Sequence, residues 1–168
     1  MNDEIIIEVN EVFKKYDDAT VLDNVSLEME KGKIYGLVGR NGSGKTVLMK
    51  CICGLIKPTS GEVKVAGKTV GKDVDIPEDI GVIIETPGFI PNYSGFKNLK
   101  LLASVRNKIS NEEIRKSMEI VGLEPKSRKH VGKYSLGMRQ KLGIAQAIME
   151  KPKILILDEP MNGLDNES

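Results

Sequence analysis

The chain contains the stretch Gly39-Arg40-Asn41-Gly42-Ser43-Gly44-Lys45-Thr46, which decides the fold. This stretch fits the phosphate-loop pattern of a glycine, any four residues and then Gly-Lys-Ser/Thr. The apolar run at 33–38 precedes it and predicts a buried strand, whereas residues 47–56 follow it and predict a helix. A strand, a glycine loop and a helix in this order form the context in which the pattern binds phosphate.

The residue types of this loop suit phosphate chemistry. Gly42 and Gly44 allow consecutive backbone N–H groups to face one anion, and the following helix N terminus adds partial positive charge. Lys45 supplies a full charge for the β- and γ-phosphates, and the Thr46 hydroxyl can bind Mg²⁺. A glycine-rich turn with an incidental lysine would not explain the flanking pattern. The candidate nucleotide-binding residues are Gly39, Asn41, Gly42, Ser43, Gly44, Lys45, Thr46 and Val47.

The composition excludes several classes of protein. Lys and Arg number 25 against 24 Asp and Glu, which argues against a nucleic-acid binder with a basic excess. No apolar run approaches the roughly 18 residues of a membrane span, and the N terminus lacks the order of a secretory signal. We expect a cytosolic protein, or one held at the cytoplasmic side of the membrane by a partner. Cys51 and Cys53 do not face each other on the predicted helix, so we expect at least one of them to be a small core residue and expect no disulfide or metal site.

The remaining pattern predicts alternating strands and helices. Residues 5–13 and 21–29 predict an antiparallel pair around a turn at 16–20, residues 62–70 a short strand and turn, and residues 80–84 and 153–157 two buried strands. Helices are predicted at 96–105, capped by Ser94, at 110–121, opened by a Ser110–Glu113 capping box, and at 136–149. The side chains expected to face inward are Leu99, Leu102, Ala103, Ile114, Met118, Val121, Leu142, Ala145 and either Ile148 or Met149.

This layout predicts an α/β fold. It consists of a P-loop NTPase core, an N-terminal antiparallel β region and an inserted α-helical subdomain. We expect one domain, with its core at about 1–89 and 150–168 and its helical insert at about 90–149.

A second candidate motif ends the last predicted strand. Four apolar residues at 154–157 lead directly into Asp158 and Glu159. A carboxylate at the carboxyl end of a parallel strand lies beside the phosphate loop if the two strands are neighbours. Asp158 could then hold Mg²⁺ through water and Glu159 could polarise the attacking water, although Asp-Glu-Pro is also ordinary turn chemistry.

Together these residues resemble the ATP-binding subunit of ABC transporters, from Ile5 to Asp165. The motifs stand in that family's order: a tyrosine, the phosphate loop, a loop after an inner strand, a signature helix, the Asp-Glu strand and the run ending at Asp165. A lone phosphate loop occurs in many NTPase families, but this series does not. The resemblance implies a subunit that binds ATP with Mg²⁺, hydrolyses it and docks on a membrane-spanning permease.

The resemblance also implies roles for single residues. Tyr16 would stack on adenine, although a surface turn tyrosine is the plainer alternative. Glu85 stands where the family usually has a glutamine that reaches Mg²⁺ and the attacking water. A carboxylate can still bind Mg²⁺, but it cannot donate a hydrogen bond as an amide does. The implied catalytic residues are Glu159 and Glu85, and the implied metal ligands are Thr46, Glu85 and Asp158.

The run Tyr134-Ser-Leu-Gly-Met138 aligns with the family's signature Leu-Ser-Gly-Gly-Gln. Ser135 and Gly137 are kept, and with the helix N terminus they can still bind a γ-phosphate, whereas Met138 cannot donate as glutamine would. In the family this motif closes the site of the opposite subunit. The resemblance therefore implies a head-to-tail dimer of two ATP-binding subunits, bridged by the residue that matches Asp165.

Two features narrow these expectations. The signature variant and the loop at 85–95 look most like the subgroup that exports or resists peptide antibiotics of the bacitracin and lantibiotic type. The family's domain continues with further strands, helices and a switch histidine, whereas the sequence here ends at Ser168. We expect a C-terminally truncated domain that leaves strand edges or core faces uncovered, binds MgATP and hydrolyses it poorly. Equal turnover by a longer version would contradict this.

Other readings are weighed against this one. His130 does not occupy the switch histidine's position, and its basic neighbours predict a solvated connector rather than a phosphate site. A soluble ABC-type ATPase acting on ribosomes or DNA usually carries tandem domains or long coiled coils, and neither is visible. A non-catalytic nucleotide-binding module fits the expected truncation. A small-molecule kinase fits poorly with the Asp-Glu strand end and with Ser135-Leu-Gly137 at the head of a helix.

Overall fold

The structure is a computed structural model that describes residues 4–85 and 88–160. The chain divides into two compact units, Met1–Glu78 and Asp79–Ser168. The predicted arrangement of a core at 1–89 and 150–168 with an insert at 90–149 stays a prediction.

The first unit is built on a four-stranded antiparallel sheet. β1 (Ile5–Tyr16) pairs with β2 (Ala19–Glu30) on one side and with β3 (Ser60–Val65) on the other, and β4 (Lys68–Thr69) completes the order β2-β1-β3-β4. The predicted antiparallel pair and the later strand and turn are therefore confirmed. The turn between β1 and β2 is shorter than predicted, because it holds only residues 17 and 18.

A bulge in β1 directs its apolar side chains inward. Val9 and Val12 are both fully buried although they are three residues apart. The pairing of β1 with β2 shifts register between these residues, and Glu11 adopts a φ of 47°. One extra residue in a strand restores the inward direction that strict alternation would lose.

One helix, α1 (Lys45–Ile52), packs on β2 and β3 in this unit. It buries Leu48, Met49 and Ile52. Cys51 and Cys53 are each 1% exposed and carry free thiols. Burial raises the pKa of both thiols, that of Cys53 to about 12, so the predicted role as core residues is confirmed.

The buried strand predicted at 33–38 is wrong. The structure assigns no strand there, and Ile34 and Val38 are 101% and 98% exposed. An apolar run becomes a strand only where a neighbour satisfies its backbone N–H and C=O groups. Among the described residues this segment joins neither sheet. An apolar pattern indicates which side chains tend to be buried, but it does not show whether a neighbouring strand is present.

The second unit contains a two-stranded parallel sheet. β5 (Ile80–Ile83) and β6 (Ile154–Leu157) pair with Ile83 opposite Leu157. The burial predicted for β6 is only partly right, because Leu155 is 44% exposed whereas Ile156 is buried. Within the described chain β6 has a neighbour on one side only, so solvent reaches part of the strand.

Three α-helices lie between β5 and β6 in the described part of the second unit. α2 (Gly95–Arg106) begins after Ser94, whose side chain accepts a hydrogen bond from the Lys97 N–H. α3 (Asn111–Ile120) begins with the predicted Ser110–Glu113 capping box, and α4 (Leu136–Ile148) follows a 3₁₀ turn at Val131–Lys133. All three predicted helices are therefore confirmed.

These helices enclose one apolar cluster. Leu102 was predicted to face inward but is 39% exposed, because it borders an open groove together with Arg106 and Met149. Val121 is partly buried against the cluster, as predicted, and no described helix is long and apolar enough to cross a bilayer. The buried members are Leu99, Ala103, Ile114, Met118, Leu123, Val131, Tyr134, Leu142, Ala145 and Met149.

Candidate functional site

Residues 39–44 of the first unit form the loop that leads into α1. Gly44 has a φ of 89°, and a Cβ placed there would stand 2.7 Å from the carbonyl oxygen of Val21. Gly42 has a φ of 80°. Side chains rarely tolerate such backbone, so the predicted curl at these two glycines is confirmed. Asn41 and Ser43 are exposed on the loop, and phosphate binding by these residues stays a prediction.

The Lys45 ammonium lies against its own loop. Its Nζ donates to the carbonyl oxygens of Gly39 at 2.8 Å and Arg40 at 3.0 Å. A full positive charge is thus held at the N terminus of α1, where the helix dipole adds to the positive potential. The helix begins two residues earlier than predicted, so Thr46 and Val47 lie in its first turn. This arrangement suits an anion.

Tyr16 is the last residue of β1, and it is 46% exposed. Lys14 places its Nζ 4.8 Å from the centre of this ring and donates to the carbonyl oxygen of Lys57 at 2.8 Å. An accessible aromatic ring is what stacking on adenine needs, and a nearby cation is attracted to its face. Sequence reasoning missed Lys14, although its i, i+2 spacing from Tyr16 places both side chains on one face of the strand.

In the second unit, β5 and β6 bring three carboxylates to one edge of their sheet. The Asp158 N–H donates to the Ile83 carbonyl oxygen at 2.8 Å, one step beyond the pair of Ile83 and Leu157. Glu85 follows β5 by two residues, and Asp158 and Glu159 follow β6 directly. Since parallel strands end at the same edge, the sequence prediction that Asp158 ends a parallel strand is confirmed.

Two of these carboxylates sit on unusual backbone. Glu85 has a φ of 63° and Glu159 a φ of 46°. Residues other than glycine adopt such angles infrequently. Seven other non-glycine residues of the described chain also have positive φ, so the backbone assigns no function to this edge, and the roles of the individual carboxylates stay predictions.

The oxygen donors fit Mg²⁺, which prefers carboxylates, phosphate oxygens and water. Glu85 and Asp158 supply carboxylates at one sheet edge, and Thr46 supplies a hydroxyl in the first unit. Within residues 4–85 and 88–160, no group of three or more His, Cys, Asp or Glu could hold a metal.

The predicted signature lies at the N terminus of α4. Ser135 caps this helix, and its Oγ accepts a hydrogen bond from the Met138 N–H at 3.2 Å. Gly137 lies in the first turn, and Ser135 and Leu136 are exposed. A capped, solvent-facing helix N terminus of this kind is accessible to an anion on another molecule.

His130 lies opposite Ser94 in an isolated bridge, and the basic connector around it is solvated as predicted. Asp165 lies outside the described residues. Sequence reasoning missed Asn98, which is 3% exposed, although an amide beside Leu99 on the inward face of a helix was a usable signal. The exposed connector residues are Lys126, Arg128, Lys129, His130 and Lys133.

Comparisons with known proteins agree with this assembly of motifs. The sequence model described as ABC transporter matches residues 22–162. The chain is 48% identical to the uncharacterized ABC transporter ATP-binding protein YybJ of Bacillus subtilis over 96% of this chain and 74% of that protein. It is 47% identical to the bacitracin transport ATP-binding protein BcrA of Enterococcus faecalis, over 96% of this chain and 53% of that protein. It thus spans about half of BcrA.

A solved structure gives the same picture of the fold. The dimeric structure of MJ0796, described as a bacterial ABC transporter cassette, superposes with a TM-score of 0.85 at 25% identity, covering 96% of this chain and 77% of that one. This likeness confirms the predicted α/β fold.

Proposed function

We propose, from the premise that this chain belongs to the ABC transporter family, that it is the ATP-binding and ATP-hydrolysing subunit that energises a transporter. The observation that carries the proposal is the glycine loop at the head of α1. There the left-handed backbone at Gly42 and Gly44 and the Lys45 ammonium combine in one anion-binding arrangement.

The residues of the first unit bind the nucleotide in this proposal. The loop N–H groups and Lys45 take the phosphates. The Tyr16 ring, 46% exposed, stacks on adenine. Lys45 exchanges its present acceptors, the Gly39 and Arg40 carbonyl oxygens, for phosphate oxygens, and this exchange favours a doubly charged ligand over a neutral one.

The carboxylates of the second unit act on the attacking water and the metal. Glu159 accepts a proton from the water that attacks the γ-phosphate. Asp158 and Glu85 offer carboxylate oxygens of the kind that Mg²⁺ binds, and Thr46 of the first unit offers a hydroxyl. When bound, Mg²⁺ neutralises charge on the β- and γ-phosphates. Glu85 brings a charge where the family usually has an amide, so it serves the metal rather than donating to the water.

Two partners complete the proposal. Ser135 and Gly137, exposed or half-exposed at the N terminus of α4, take the γ-phosphate held by a second ATP-binding subunit in a head-to-tail dimer. A membrane-spanning permease receives the movement of the ATP-binding subunits, which places the subunit at the cytoplasmic side of the membrane.

The substrate class follows from the relatives. The 47% sequence identity to a protein named for bacitracin transport supports a peptide antibiotic as the cargo of the whole transporter. The result for the cell would be export of that antibiotic or resistance to it.

The test is reconstitution with a membrane-spanning permease that co-purifies with this chain. We expect ATP turnover to rise when the permease in lipid vesicles is added and to rise further with bacitracin. Turnover that ignores the permease, together with co-sedimentation with ribosomes, would favour the soluble ATPase instead. ATP binding without turnover under all conditions would favour a nucleotide-binding module. Poor hydrolysis by this chain compared with a longer version stays a prediction, and the same assay measures it.

A further inference from the structure

The N termini of α2 and α4 are joined by backbone hydrogen bonds within the second unit. The Val131 N–H donates to the Tyr93 carbonyl oxygen and the Gly132 N–H to the Pro91 carbonyl oxygen, each at 2.9 Å. Ser94, which caps α2, lies opposite His130. The segment that enters α2 therefore runs along the segment that enters α4.

A buried amide fixes the first of these segments. Asn98 is 3% exposed, and its Oδ1 accepts from the Ile90 N–H at 2.8 Å. Its Nδ2 donates to the carbonyl oxygens of Ile90 and Ser94, both at 3.1 Å. A buried amide that meets both its donor and its acceptor needs is costly to disrupt. Residues 90–94 therefore form a firm support for whatever packs on them.

Tyr134 is the side chain that reaches this support from the start of α4. It is 6% exposed, and its hydroxyl lies against the backbone of Gly95, whose N–H is the polar group beside it. A Cβ on Gly95 would stand 2.8 Å from the Tyr134 hydroxyl and 3.2 Å from atoms of Leu142 and Met118. The fit thus depends on a glycine at the first turn of α2. Burial raises the pKa of this phenol, so it stays neutral at ordinary pH.

We propose that Tyr134 is a positioning residue whose hydroxyl, held at Gly95, orients Ser135 and Gly137 for the phosphate of the opposite subunit. This inference rests on the proposed function. Ser135 follows Tyr134 directly and caps α4. A shift of the tyrosine ring therefore moves the Ser135 Oγ and the N–H groups in the first turn of α4. The family's leucine at this place has no hydroxyl, so the contact belongs to the tyrosine of this chain.

The same contacts connect α2 to the start of α4. The segment at 90–94 follows Glu85 in the chain, and it is fixed to α2 by Asn98 and to the start of α4 by Tyr134 and the 131–132 amides. Movement of α2 would therefore carry Ser135 with it. A leucine could fill the same space but could not transmit a directed pull, because apolar contacts are not directional.

The experiment compares Tyr134→Phe with the matched control Tyr93→Phe, which removes a half-buried hydroxyl from the same unit. Three quantities are measured on the full chain: affinity for a fluorescent ATP analogue, self-association driven by a slowly hydrolysed ATP analogue with Mg²⁺, and amide exchange of residues 131–139. Tyr134→Phe should leave nucleotide affinity unchanged, weaken association about threefold to tenfold, as expected for one lost hydrogen bond, and speed exchange of the Met138 amide. Tyr93→Phe should behave as the parent chain.

Unchanged nucleotide affinity together with weakened association would show that Tyr134 positions the start of α4, because a general loss of stability would lower both. Association and Met138 exchange equal to those of the parent chain would overturn the role of Tyr134. A parent chain that binds the nucleotide but does not associate would contradict the dimer of the proposed function. The exchange of residues 131–139 would then still decide whether Tyr134 holds the start of α4.

Discussion

The backbone N–H of Asp158 donates to the carbonyl oxygen of Ile83 at 2.8 Å and so extends the β5–β6 ladder past the last residue of β6. This bond fixes the position at which the chain leaves the sheet, and with it the carboxylates that follow. Glu85 leaves β5 at the same edge. The acidic part of the candidate site is thus built by strand pairing rather than by neighbours in sequence.

Glu159→Gln should abolish most turnover and keep binding. An amide of the same shape cannot accept the proton of the attacking water, and such a loss costs about 10²- to 10⁴-fold. Single-turnover hydrolysis of labelled ATP measures the rate, and analogue binding measures affinity. Glu119→Gln, an exposed change on α3, serves as the control. If the turnover of Glu159→Gln stayed within about twofold of the parent's, Glu159 would have no role in the mechanism.

Lys45→Ala should weaken ATP binding about tenfold to a hundredfold, the usual cost of a lost charge-assisted hydrogen bond. The loss should be larger for ATP than for adenosine, because the ammonium acts on phosphate. Equilibrium titration with both ligands tests this difference. The exposed Lys72→Ala removes the same charge elsewhere in the first unit. Equal losses for ATP and adenosine would show that the loop had merely lost its shape.

Glu85→Gln should keep most Mg²⁺-dependent turnover but raise the Mg²⁺ concentration that it requires, because the amide keeps an oxygen for the metal and loses the charge. Glu85→Ala should lower turnover by at least about tenfold, because no oxygen remains to face the metal or the water. Titration of turnover against Mg²⁺ separates the two effects, since a lost ligand raises the Mg²⁺ concentration required. If the alanine variant matched the parent at every Mg²⁺ concentration, Glu85 would have no role at the metal.

Glu113 should make stability depend on pH. The Lys151 ammonium, with the Ser110 N–H and hydroxyl, holds the pKa of this carboxyl at about 2, below its ordinary value near 4.5. The folded state binds this proton less readily than the unfolded state, so the contribution is complete above pH 4.5 and is lost as the pH falls toward 2. Glu113→Gln should lower the unfolding midpoint at neutral pH, and the difference should shrink in acid.

Thermal unfolding at several pH values follows this difference. Glu112→Gln is the matched control, because it lies in the same turn of α3 with its side chain 83% exposed. If the difference in unfolding midpoint between Glu113→Gln and the parent stayed constant down to acid pH, the capping geometry would matter and the charge would not.

The two thiols should resist modification while the chain is folded. Both cysteines are 1% exposed, and with a pKa of about 12 only about one Cys53 in ten thousand is a thiolate at pH 8. A disulfide reagent should therefore react slowly in buffer and rapidly in denaturant, where the pKa returns to about 8.5. If the thiols of the native chain reacted fast with the reagent, α1 would have to open readily.

Local chemistry explains which parts of the fold are predictable from sequence. Glycine spacing predicts the loop at 39–46, and the Ser110–Glu113 pair predicts the start of α3, because each feature depends on residues a few positions apart. Distant pairing is different. The apolar run at 33–38 resembles a buried strand, yet Ile34 and Val38 face solvent because no described strand lies beside them.

Residues close together in the chain suffice to predict a glycine loop that opens a helix, since glycine conformations and helix-terminal N–H groups are local properties. Strand pairing and helix packing, by contrast, bring Glu85 and Asp158 to one sheet edge and the Tyr134 hydroxyl to Gly95. These partners are tens of residues apart in the chain, so their meeting depends on strand register and helix packing. A sequence pattern does not encode such distances, whereas hydrogen bonds and close packing fix them.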